Sequence, residues 1–202
     1  MDDEAREQRL LTALTTEHFV RQTSRGATVT ESVGRTTVFL SLLSAALIGL
    51  GFVSSSGHLI KPYLGAVLPA LIITGLLTFA RLVQNMVENA LDLKRIQRIR
   101  AYYHRQFAGE HDFFADAVTG GGDMQTIVAA VGGSRSRWQL LLTMAAMVGA
   151  VNTLLIGLGA TLLAGVASGS ATLAIAVGVV VALVAFAAQL AHIKRASMWL
   201  GG

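Results

Sequence analysis

Four long apolar runs interrupt an otherwise polar chain, at about 36–56, 62–83, 138–165 and 171–191. A helix needs about 20 mostly apolar residues to cross about 30 Å of hydrocarbon, and each run is long enough. The runs are continuous and do not alternate, so they predict helices and not barrel strands. SSSGHLIK separates the first run from the second, and a still shorter link around Ser168-Gly169-Ser170 separates the third from the fourth. Links this short predict two antiparallel hairpins. The expected fold class is therefore an all-α membrane protein of four transmembrane helices.

The polar stretches between the runs also carry helical patterns. Leu10, Leu14 and His18 recur every fourth residue, with Leu11 beside them, after the acidic start Asp2, Asp3, Glu4 and Glu7. Negative charge favours a helix N-terminus. Residues 84–108 contain neither glycine nor proline and can continue the second run as one helix. On a helical wheel, Met86, Ala90, Leu93, Ile96, Ile99, Tyr103 and Phe107 share one half, and Lys94, Arg95, Arg98 and Arg105 the other. Gly109 is the expected stop. The continued helix would be about 70 Å long at 1.5 Å per residue. Beyond it, Gly120-Gly121-Gly122-Asp123 and Gly132-Gly133 bracket a short apolar segment that Asp123 could cap. The expected segments are an N-terminal helical segment (1–35), a first hairpin (36–83), a basic helix with a Gly-rich loop (84–137), a second hairpin (138–193) and a tail (194–202).

Composition agrees with a bilayer. Hydrophobic residues make up 53% of the chain and charged residues 14%, against about 25% charged in a soluble domain. The charges also set an orientation, because Lys and Arg concentrate on the cytoplasmic side. Arg6, Arg9, Arg21, Arg25 and Arg35 precede the first run. Lys94, Arg95, Arg98, Arg100, Arg105, Arg135 and Arg137 lie between the second and third, and Lys194 and Arg195 follow the fourth. The two short links contain only Lys61. Both termini and the central segment are therefore expected inside. Trp138 and Trp199 would sit at the inner headgroups and Tyr63 at the outer ones. The first 35 residues have no apolar leader core, so the first run is the expected insertion signal. Thirteen Arg against three Lys, with abundant Ala, Gly and Val, suggests a bacterial source, hence the inner (plasma) membrane.

Chemistry is sparse. Cysteine is absent, which removes thiolate metal sites and cysteine nucleophiles. His104, Glu110, His111, Asp112 and Asp116 do not form a metal-ligand spacing, and the Gly-rich stretch lacks the Lys-Ser/Thr of a phosphate loop. No Arg–aromatic cluster suggests nucleic acid. No catalytic activity, metal or cofactor is implied.

The strongest pattern lies in the third run. Ala145, Gly149, Thr153, Gly157, Thr161 and Gly165 stand four apart and form one ridge of small residues. Ala174, Gly178 and Ala182 repeat the spacing in the fourth run, and Ser41, Ala45 and Gly49 in the first. Small residues let helix backbones approach closely in lipid. The ridge is read either as packing within one chain or as a subunit interface or pore lining. Asn152 is either an interhelical hydrogen bond or a polar contact on a permeation path, and Gln189 and Thr74 are weaker cases. Arg81 either snorkels to the headgroups or pairs across a vestibule with Glu88. Pro69 predicts a kink.

The stretch LTTEHFVRQTSRGATVTESVGRTTVFLSLLSAALIGLGFV, with RIQRIRAYYHRQF after the second run, resembles a group of small actinobacterial four-helix membrane proteins, over residues 11–107. That resemblance implies no catalytic residues. The leading expectation is a homo-oligomer in the bilayer that forms or gates a conduction path. The alternative is a membrane-anchored signalling or scaffold protein whose cytoplasmic helices bind a protein partner.

Overall fold

The computed structural model describes residues 2–107 and 143–198 of the 202-residue chain. Trp138, Trp199, Arg135, Arg137, Gly109, the acidic and histidine residues from 110 to 116, and the Gly-rich stretch lie outside the described residues. Those described form four helices: α1 (Asp2–Ser54), α2 (Ile60–Phe107), α3 (Met144–Ser168) and α4 (Ala171–Met198). All four are long and apolar enough to cross a membrane.

Several boundaries differ from the apolar runs, each for a local reason. The third run begins at Trp138, but α3 begins at Met144, because Thr143 is extended (φ −77°, ψ 152°) and its hydroxyl accepts the Ala146 N–H. A capping side chain satisfies a donor that the first helical turn leaves free. The helix stops at Ser168, beyond its expected end at Gly165. Gly169 there adopts φ 65°, and its N–H reaches the Gly165 carbonyl at 3.1 Å. That left-handed cap favours glycine. Lys194 and Arg195, expected in a tail, are still helical in α4. α2 runs unbroken through Pro69 to Phe107, and α1 from Asp2 to Ser54.

The chain divides into two compact units. Among the described residues, the first unit holds 2–31, 85–107 and 197–198, and the second holds 32–84 and 143–196.

In the first unit, polar contacts join α1 to α2. Arg21 Nη1 donates to Asp92 Oδ1 at 2.8 Å, and its Nε to Glu17 Oε1 at 2.7 Å. Arg25 Nε donates to Asn89 Oδ1 at 2.9 Å, and Asn85 Nδ2 reaches the Thr28 carbonyl at 3.5 Å. Further along, the Thr15 and Tyr103 hydroxyls are 3.0 Å apart, and Gln106 reaches Glu7 at 3.3 Å. Ile96 and Ile99 are buried here. Arg21 keeps its proton more firmly than usual, chiefly through its hydrogen bond to Asp92.

The second unit is apolar outside and closely packed inside. Phe52, Leu77, Leu154, Leu163 and Val166 are each largely exposed, while Phe39, Val148 and Ile193 are sealed in the core. Tyr63 donates from its hydroxyl to the Ala46 carbonyl at 2.8 Å, and Gly49 lies under that hydroxyl. The phenol expected to reach for headgroups is thus engaged by α1.

Candidate functional site

The small-residue ridge of α3 lies against α4. A β-carbon on Gly157 would stand 2.9 Å from Ala182 Cβ and 3.1 Å from the Gly178 carbonyl oxygen. One on Gly178 would stand 2.8 Å from the Gly157 carbonyl and collide with the Thr161 hydroxyl. Gly165 faces Ala174 at ordinary contact distance. Each glycine therefore supplies room for the opposite backbone, and the two helices gain dispersion contacts along the close approach. Thr161 adds no unsatisfied donor, since its hydroxyl bonds the Gly157 carbonyl at 2.9 Å.

Polar groups collect nearer the start of α3 and the end of α4. Asn152 is wholly buried, and Thr153 and Gln189 are 8% exposed. Asn152 Oδ1 lies directly on Gly75 of α2, where a β-carbon would also come within 2.8 Å of Phe39 Cε2. Gly149 makes the same accommodation for Gln189, whose Oε1 would be 2.6 Å from an added β-carbon, with Phe79 next to it. Phe79 in turn meets the His192 ring at 6.1 Å between centroids. Both heteroatoms of Asn152, both of Gln189 and the Thr153 hydroxyl are buried without a protein hydrogen-bond partner. In an apolar interior each such group costs several kcal/mol. The glycines at 75 and 149 are what make space for these carboxamides.

Of the sequence candidates, Gly149, Asn152, Thr153, Gly157 and Thr161 thus come together on the inward side of α3. Arg81 does not join them. Its Nη1 points to Gln84 Oε1 at 3.4 Å, one turn along its own helix. Arg95, Arg98 and Arg105 are exposed on α2, while Lys94 is half-buried and does not share that face fully. Gly75, Phe39 and Phe79 escape sequence reasoning. Gly75 is one glycine in an apolar run, and no spacing rule pairs it with Asn152.

Comparison of the chain with protein-family models, with curated proteins and with solved structures returned no match.

Proposed function

We propose that this chain is a multi-pass protein of a bacterial inner membrane, built as two antiparallel hairpins with both termini and residues 84–137 in the cytoplasm. Its leading role in this reading is that of a membrane-anchored scaffold whose helices outside the bilayer bind a protein partner. One observation carries it. The small-residue ridge that could have lined a path is filled by α4, whereas α2 presents Arg95, Arg98 and Arg105 to solvent. The pairing of Gly165 with Ala174 and of Gly157 with Ala182 supports the hairpin. The excess of Lys and Arg in the cytoplasmic segments supports the orientation. A basic surface attracts an acidic partner or anionic headgroups. The test is a photo-crosslinking residue placed at Arg98 in cells. A discrete protein adduct that disappears in the Arg95→Glu, Arg105→Glu variant supports a scaffold. Adducts to lipid alone would refute it.

A conduction path within a homo-oligomer is the second reading. The buried, unpartnered amides of Asn152 and Gln189 favour it, because polar groups retained inside a membrane bundle commonly mark a pathway. Ion flux from liposomes holding the purified protein decides it, and absence of flux across voltage, pH and lipid composition would sink it.

A further inference from the structure

The contact of α3 with α4 runs in a steady antiparallel register. Gly165 faces Ala174 and Gly157 faces Ala182, so turns further back on α3 meet turns further forward on α4. Gly149 and Gln189 continue the series, with Gln189 Oε1 standing 2.6 Å from the place of a Gly149 β-carbon. Thr153 lies between Gly149 and Gly157 on the same ridge. Thr153 and Gln189 are each only 8% exposed.

Thr153 differs from other threonines of this unit. Thr36 donates its hydroxyl to the Ser32 carbonyl at 2.8 Å, and Thr161 to the Gly157 carbonyl at 2.9 Å. A bond of that kind satisfies the hydroxyl within its own helix. Thr153 has the same option in the Gly149 carbonyl and does not take it. Its hydroxyl is buried without a protein partner, and so are both ends of the Gln189 carboxamide. Gln189 is seated at Gly149, one turn from Thr153, and side-chain positions one turn apart are separated by about 5–6 Å. That is beyond a direct hydrogen bond of about 2.5–3.0 Å, and it is about the reach of two such bonds placed end to end. Asn152 is not part of this pair, since its Oδ1 lies against Gly75 of α2.

We propose that Thr153 and Gln189 bind a water molecule between α3 and α4, which bridges the two helices at the level of Gly149. The choice of occupant follows from the groups to be satisfied. The carboxamide offers an acceptor at one end and a donor at the other, and the hydroxyl is both. A bare cation would serve the oxygens and leave the amide N–H groups facing it, and an anion would do the reverse. Water donates and accepts at once, and buried waters commonly hold about three polar groups that have no other partner. The two groups placed against Gly149 are Gln189 and Phe79, neither of them charged, so nothing there favours an ion. The neighbours of Thr153 along its ridge, Gly149 and Gly157, carry no side chain to take the place. A bridging water binds nearly as well as a direct hydrogen bond. It would fasten α3 to α4 by a polar link, where further along the same interface they meet through glycine and alanine. The inference holds whether the chain conducts or only anchors.

Nuclear magnetic resonance of the full-length protein, with nitrogen-15 in its glutamine side chains, tests this directly. The Gln189 amide signal is identified by its loss in Gln189→Leu. Rotating-frame spectra separate dipolar contact with water from simple proton exchange, because the two give cross-peaks of opposite sign. The expected result is a dipolar cross-peak between the Gln189 amide protons and water. It should be lost in Thr153→Val, which keeps the shape and removes the hydroxyl, and kept in Thr153→Ser. Absence of the cross-peak in the unmodified protein overturns the proposal by itself, whether or not the valine variant folds. A cross-peak that survives Thr153→Val also overturns it, since the water would then not be shared with Thr153. A Gln189 signal that shifts when choline chloride is exchanged for sodium or potassium chloride would assign the place to a cation and likewise overturn it.

Discussion

Asn152 Oδ1 occupies the place where a β-carbon on Gly75 would have to be. The carboxamide and the glycine therefore form a single fit between α3 and α2. Gly75→Ala should lower stability by about 1–3 kcal/mol, the usual range for overpacking a filled core. Thermal unfolding in detergent measures it. Gly75→Ala with Asn152→Ala should lose less than the sum of the two single changes, since neighbours that share a clash are not additive.

Asn152 itself should be dispensable for folding. Its side chain is fully buried, and neither of its polar atoms has a protein partner. Asn152→Leu removes two buried polar atoms at similar volume and should leave stability unchanged or raise it by about 1–3 kcal/mol. If the melting temperature falls instead, the amide is bonded in the folded protein and its cost has been misjudged.

The contact of α3 with α4 predicts a steep size dependence. Gly178→Ala places a methyl against the Gly157 carbonyl and the Thr161 hydroxyl, and Gly157→Leu forces the helices apart. Both should reduce the yield of monodisperse protein in size-exclusion chromatography, the leucine more. Gly165→Ala, opposite Ala174 with space to spare, should be tolerated. Equal tolerance of all three would mean that the two helices do not touch as described.

Arg21 bridges Glu17 and Asp92, and the Asp92 side chain is 8% exposed. Arg21→Ala leaves that carboxylate without its guanidinium and should cost about 1–3 kcal/mol. Arg21→Lys keeps the charge but not the planar fork that serves two carboxylates, so it should recover only part of the loss. The pKa of Arg21 is raised above its ordinary value, chiefly by the hydrogen bond to Asp92. Its contribution is then complete below the unfolded value and lost only as pH rises through the folded one. Denaturant unfolding followed from about pH 6 to about pH 9 should show no step from this residue.

Much of this arrangement is legible in the residues alone. Four apolar runs correspond to four helices long enough to span, and the four-residue spacing of Gly149, Gly157 and Gly165 marks a ridge that does meet a neighbour. Other features depend on distant contacts. Arg21 and Arg25 read as orientation signals, because charge counting treats each arginine alone, yet both hold α2. The start of α3 departs from the hydropathy boundary because hydropathy does not register a hydroxyl cap such as Thr143. Gly75 does not pair with Asn152 in the sequence because nothing in a linear spacing measures the distance between α2 and α3.

The turn at Gly169 leaves α3 and α4 almost no connecting chain, with Ser170 alone between the cap and Ala171. A slide of one helical turn past its neighbour is about 5.4 Å. It would need slack that this link does not contain, and it would drive side chains into the carbonyls now lying over Gly157 and Gly178. The two helices are thus coupled like the arms of a closed clasp. The short link and the close approach at Gly157 and Gly178 together oppose sliding of one helix along the other.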